Sequence, residues 1–385
     1  MRYRQGVRQP LEPSGERLPR AAARQAGLRA QNLALVLDHI VRSGETPISR
    51  ADIASQSGLT RATVSSLVEL LLQARIVDWA ATTAASSVGR PASPVTLASA
   101  TLAGLGLEIG ANHLGAVVVD LRGATLAVRE VRGDFTAPSP TAVLATAAEL
   151  ATAALTQAQL ANPHLELLGA TLAVPGIVRD GVILDAPRLG WIDVAAAAAL
   201  AGLGGVASVG IGNEASLAAL AESHARIQST FLYLSGGVGI GGAQVVEGTV
   251  VGGVHGFASE LGHVVVDPAG PLCRCGATGC LEQYAGAQAL ARLEPAEVGR
   301  ALGIALASTV NVIDVATLVL GGTLAPRLEE FLPTMQAELE RRVLAYPWAP
   351  VTVEPALVRE TPSLRGAALE SVLATLADPE RLILS

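Results

Sequence analysis

The chain has 385 residues, half of them hydrophobic and 16% charged, which excludes disorder over most of its length and allows two or three domains with buried cores. Its formal net charge of −7 conceals a division, because the first 100 residues carry 12 Arg against 7 acidic residues while the remainder is acidic. A basic head on an acidic body is expected when only the head meets nucleic acid. The N-terminus lacks the apolar core of a secretory signal, and the uncharged runs at 194–213 and 231–246 are broken by glycines. A cytoplasmic protein with no membrane partner is therefore expected, with its thiols reduced and available to a metal.

Residues 1–28 carry Pro10, Pro13 and Pro19 among scattered Arg without periodicity, and read as a flexible tail. From Arg29 the apolar residues Leu33, Val36, Leu37, Ile40 and Val41 recur at helical spacing, until Gly44 and Pro47 end the pattern. Ser49 is placed to cap a short helix that begins at Arg50 and ends at Ser57, with Gly58 as the turn. Thr60 then caps a helix over 61–74 that turns Val64, Leu67, Val68 and Leu71 inward. Small Ala54, turning Gly58 and apolar Val64 form the skeleton of a helix-turn-helix. Its exposed set for operator DNA is Arg50, Thr60, Arg61, Thr63, Ser65 and Ser66, where Arg61 can read a guanine and the hydroxyls suit phosphates. Residues 75–97 read as a two-stranded wing, and Arg90, between Gly89 and Pro91, is placed to enter a minor groove.

From Thr101 the composition turns to Ala and Val with Gly punctuation. A strand, a tight turn and a returning strand are expected over 102–123, then a helix over 141–161 and strands at 168–174 and 207–211. The alternation predicts an α/β sheet with mixed pairing.

All three cysteines, Cys273, Cys275 and Cys280, fall inside eight residues, and His263 stands ten positions before the first. Three thiolates and an imidazole fill the four positions of a structural zinc ion and leave none open for catalysis. An odd number of crowded cysteines fits disulfides poorly. Glu260 and Glu282 flank this knot, and a rigid pair of carboxylates suits the hydroxyls of a sugar.

The segment ELGH followed by CxCGxxGCLE resembles the signature of the ROK family, which contains both repressors and sugar kinases. The resemblance runs over about residues 29–385 and implies a winged helix-turn-helix (29–98) followed by a two-lobed actin-like ATPase domain (101–385). It places the small lobe at about 101–212 with the C-terminal helix, and the large lobe at about 213–366. It implies zinc at His263, Cys273, Cys275 and Cys280, and a sugar at Asn213, Glu214, Glu260, His263 and Glu282. Ser259 stands where the family usually has Gly, and Arg188 where an Asn is usual.

The kinase positions are altered. The phosphate-cradling turn Asp-Ile-Gly-Gly-Thr is replaced by residues Glu108 to Asn112, where Ala111 adds a methyl group to a surface that needs close backbone approach. Val238 removes a hydroxyl from the second phosphate loop, and Glu214 replaces the catalytic Asp. These changes favour a sugar-responsive transcriptional regulator, expected as a homodimer or a dimer of dimers on two-fold DNA. An active sugar kinase with an appended winged helix is the alternative. A zinc hydrolase would need an open metal position.

Overall fold

The computed structural model describes residues 20–80, 94–226 and 230–384. The chain divides into two compact units: one ends at Thr96 and takes in the stretch from Leu376, the other runs from Leu97 to Thr375.

In the first unit, α1 (Arg20–Arg42), α2 (Arg50–Ser57) and α3 (Arg61–Gln73) precede a two-stranded sheet of β1 (Val77–Trp79) and β2 (Val95–Leu97). Helix α1 starts nine residues before Arg29, so residues 20–28 are helical and not part of a tail. The segment is rich in Ala and Arg, strong helix formers that need no apolar periodicity to extend a helix. Ser49 caps α2 by accepting from Asp52 N, and Gly58 closes it at φ 72°, in the left-handed region. Leu37, Ile40, Ile53, Val64, Val68 and Leu71 are fully buried, so the three helices share one core. Ile48 exchanges both backbone hydrogen bonds with Val95, at 3.0 and 2.8 Å, and ties the segment before α2 to the sheet. The wing tip, including Arg90, lies outside the described residues.

The second unit opens with the meander β3 (Leu102–Ile109), β4 (His113–Asp120) and β5 (Thr125–Arg132), followed by α4 (Pro140–Ala161) and β6 (Glu166–Val174). A small antiparallel sheet follows, made of β7 (Ile177–Arg179), β8 (Val182–Ala186) and β9 (Trp191–Val194). After the short α5 (Ala196–Ala199), β10 (Val209–Asn213) leads directly into α6 (Glu214–Ala225). The main sheet has the order β10-β6-β3-β4-β5, antiparallel within the meander and parallel from β3 through β6 to β10.

The chain then repeats the pattern. A meander of β11 (Phe231–Gly236), β12 (Ile240–Val246) and β13 (Thr249–Val250) precedes the cysteine-rich loop, α7 (Glu282–Ala285), α8 (Ala287–Leu290) and α9 (Pro295–Ile313). Next come β14 (Thr317–Gly322), α10 (Leu328–Arg342), β15 (Thr352–Pro355), α11 (Pro362–Ala377) and α12 (Glu380–Leu384). The second sheet, β13-β12-β11-β14-β15, has the same 3-2-1-4-5 order in chain sequence as the first. This duplication defines a two-lobed α/β domain. Helix α9 is long and apolar enough to span a membrane by composition, yet it buries Val298, Leu302 and Leu306 against the second sheet. Helix α11 crosses β3 at Gly104 and Gly106, where a Cβ would strike the Ala368 and Leu364 carbonyls.

Candidate functional site

The cysteine-rich loop leaves β13 and returns at α7. Its backbone is pinned where Val266 N donates to Gly279 O at 2.9 Å and Leu281 N to Val264 O at 2.9 Å. Within it, Cys273 N donates to Ala277 O at 2.8 Å, a tight turn that brings Cys275 back toward Cys280. One ligand atom from each of His263, Cys273, Cys275 and Cys280 lies within 4.8 Å of the others. His263 Nδ1 and Cys273 Sγ are 3.8 Å apart, and Cys275 Sγ and Cys280 Sγ 3.6 Å. A tetrahedron with metal–sulfur bonds of about 2.3 Å has edges near 3.8 Å, so the four donors fit a divalent metal ion. The cysteines are free thiols, not disulfides. Burial and the neighbouring thiols push Cys280 up to about 12, whereas a backbone donor at Ala277 lowers Cys275. Metal binding would therefore displace protons and weaken in acid.

The loop carries the two flanking carboxylates. Glu260 precedes the single 3-10 turn that holds His263, and burial raises its pKa, with His263 opposing the rise and Glu282 adding to it. Glu282 is the first residue of α7, and its Oε2 accepts from Ile240 N at 3.1 Å and from Arg188 Nη2 at 3.2 Å. Ile240 opens β12 directly after the glycine turn at 237–239, so the carboxylate ties that turn to the His/Cys cluster. Arg188 reaches it from the turn between β8 and β9.

Asn213 caps α6. Its Oδ1 accepts from Ala215 N at 2.8 Å and Ser216 N at 3.3 Å, and its Nδ2 donates to Gly176 O at 3.0 Å. The side chain is thus committed to joining β10, α6 and the segment after β6, a structural role that its sequence position did not reveal. Gly176, Val178, Asn213, Gly242 and Glu260 share a small cleft. Burial raises the pKa of Glu214 to about 7; Arg188 opposes that rise and Glu108 adds to it.

The β3–β4 turn, where the ROK pattern cradles phosphate, is filled by its own residues. Glu108 Oε1 accepts from Ser363 Oγ at 2.6 Å and lies 3.4 Å from His113 Nε2. His113 Nδ1 is 2.9 Å from Asn112 Oδ1, and the ring lies so close over Gly110 that a Cβ there would collide with it. Hydrogen bonding to Glu108 raises the pKa of His113. Sequence reasoning flagged Glu108 and Asn112 but missed His113; its position three residues after Gly110 in a tight turn was the available signal.

In the first unit, Arg61 and Ser66 are exposed on α3, with Thr63 and Ser65 partly buried. Thr60 Oγ1 accepts from Thr63 N at 3.1 Å and lies 2.8 Å from Thr63 Oγ1, so these two hydroxyls satisfy each other at the helix start. Arg50 opens α2 with its guanidinium over the Trp79 ring, 5.1 Å from the centroid.

The duplicated lobes and the His/Cys knot define a ROK-type domain, and the chain belongs to the ROK family, whose model matches residues 104–297. It is 28% identical over 353 residues to the xylose repressor of Bacillus subtilis (strain 168), covering 83% of this chain and 89% of that protein. It is 32% identical over 240 residues to the kanosamine kinase of Amycolatopsis mediterranei (strain S699), covering 54% and 78%. Among solved structures, a ROK family transcriptional regulator homologous to the Escherichia coli MLC protein superposes with a TM-score of 0.75 at 21% identity, over 93% of this chain and all of that one. The ROK hexokinase of Thermus thermophilus gives 0.61 at 28% identity, over 71% and 99%.

Proposed function

We propose that this chain is a sugar-responsive transcriptional repressor of carbohydrate genes, binding operator DNA as a homodimer or dimer of dimers. The carrying observation is the N-terminal unit. The hexokinase covers 71% of the chain and the regulator 93%, and the chain carries an N-terminal unit of three helices ending in a two-stranded sheet. In this reading α3 is the recognition helix of a winged helix-turn-helix, Arg61 reads a base, and Arg50, Thr60, Thr63, Ser65 and Ser66 surround it. Arg90 belongs to the same proposal through the wing. The xylose repressor relative supports a sugar as effector.

The ROK domain then acts as the sensor, with one lobe over about 101–212 plus the C-terminal helix and the other over about 213–366. His263, Cys273, Cys275 and Cys280 would hold zinc, which supplies rigidity and not catalysis. Glu260 and Glu282, held by that knot, accept sugar hydroxyls beside Glu214; Asn213 fixes the floor of the cleft, and His263 serves both metal and cleft.

His113 over Gly110, with Ala111 beside it, removes the open backbone surface that a nucleotide phosphate needs. The kinase reading keeps support from the glycines at 237, 239 and 241, so it is tested directly. Protein incubated with ATP, magnesium and a panel of pentoses and hexoses releases no ADP above background. Turnover near about 1 s⁻¹ would make the chain a kinase.

A further inference from the structure

The cleft holds an unusual balance of charge. Glu260 lines it and feels the charge of Glu282, while Glu214 feels the charges of both Glu108 and Arg188. Against them stands Arg188. Its side chain is 24% exposed, and its Nη2 sits 3.2 Å from Glu282 Oε2, so close to Gly239 that a Cβ there would collide with it. The other cations nearby are engaged differently. His113 is paired with Glu108, and Arg179 lies over the Phe257 ring, 5.9 Å from its centroid, with its side chain half exposed. Arg188 is therefore the charge that Glu282 and Glu214 share.

Two donors, Arg188 Nη2 and Ile240 N, meet the same oxygen of Glu282. They fix the carboxylate and leave Oε1 to accept from a ligand hydroxyl. A neutral polyol needs only that acceptor. A ligand ammonium would also be drawn to these carboxyl groups, but beside Glu282 it would face the guanidinium at close range, and like charges in a partly buried cleft repel strongly. An Asn at position 188 would keep a hydrogen-bond donor and remove that repulsion.

We propose that Arg188 is the specificity-determining residue of the cleft: it restricts the ligand to uncharged sugars and excludes amino sugars. The inference rests on the sugar-sensor reading above. It assigns a discriminating role to a side chain from the lobe opposite the metal knot, acting through charge and not through fit alone.

The test is calorimetric titration of the full chain, zinc-loaded, at a pH where amines are protonated. The probes are xylose, glucose and mannose, their amino counterparts glucosamine and mannosamine, and N-acetylglucosamine as a bulky uncharged control. The quantity read is the affinity ratio of the best uncharged sugar to the best amino sugar. In the unmodified protein it is expected to exceed roughly tenfold, and Arg188→Asn to reduce it by roughly tenfold through tighter amino-sugar binding, while Arg188→Lys retains it. Sugar binding with an unchanged ratio in Arg188→Asn overturns the proposal. If Arg188→Asn fails to fold, Arg188→Lys decides: a retained ratio supports the charge role and a collapsed one contradicts it. Binding of N-acetylglucosamine as poor as that of glucosamine would make size, not charge, the discriminator and overturn the proposal. If the unmodified protein binds none of the probes, the sugar-sensor reading fails, and this inference with it.

Discussion

Glu214 illustrates how much of the site depends on burial. Its carboxyl is raised to about 7, so the folded chain holds a proton that the unfolded chain loses above about 4.5. The sign follows: Glu214 costs nothing below about 4.5, destabilises increasingly as pH rises to about 7, and adds no further slope beyond. The total loss is on the order of 3 kcal/mol. Urea unfolding at pH 5 and pH 8 should show the protein losing more stability than Glu214→Gln, which cannot ionise; an equal loss in both would mean the carboxyl is not held neutral by burial. His113, also raised, adds a slope of the same sign that persists in the variant. Ser259 shows what the sequence offered without its meaning. It departs from the Gly of the ROK pattern and adopts φ 67°, a costly conformation for a side-chain residue, while its Oγ accepts from Gln244 N at 3.2 Å. Arg188 was equally visible as a departure, but its contact with Glu282 joins residues 94 positions apart and only the fold brings them together.

At the scale of elements, helices α2 and α3 were the most legible part, because caps and turns are local chemistry: Ser49, Gly58 and Thr60 sit where their side chains and backbone freedom require. The gathering of His263, Cys273, Cys275 and Cys280 was legible for the same reason, four candidate ligands at close spacing. The start of α1 was not, since Ala and Arg extend a helix without an apolar stripe. Nor was the seat of α11, whose neighbours are distant in sequence. Gly366 on that helix lies against Leu217 of α6, where a Cβ would overlap the Leu217 carbonyl. Gly366→Ala should therefore destabilise by about 2–3 kcal/mol, seen as a lower denaturant midpoint with unchanged slope, although Ala favours helix over Gly. A neutral or stabilising result would show that α11 is free to shift. For the knot, Cys275 is the exposed ligand, so Cys275→Ser tests the metal with little disturbance of packing. Metal content by atomic emission should fall well below one per chain, and sugar affinity by roughly tenfold or more as Glu260 and Glu282 lose their support. Loss of metal with unchanged sugar affinity would mean the knot does not position the carboxylates.

For the whole molecule, the repeated strand order of the two lobes could not be read from the sequence, because pairings such as β3 with β6 and β11 with β14 are set by long-range contacts. Sugar sensing and DNA binding in one chain must answer to each other: a sugar that shifts DNA affinity must itself be bound more or less tightly on DNA by the same factor. The most direct measurement is fluorescence anisotropy of a labelled duplex from the chain's own promoter region, titrated with protein at fixed salt, with and without the sugar identified by calorimetry. Saturable, sequence-specific binding is expected, weakened by about 1–3 kcal/mol in Arg61→Ala and shifted roughly 5- to 150-fold by the sugar. Specific DNA binding that no bound sugar alters, or no specific binding at all, would contradict the proposed function.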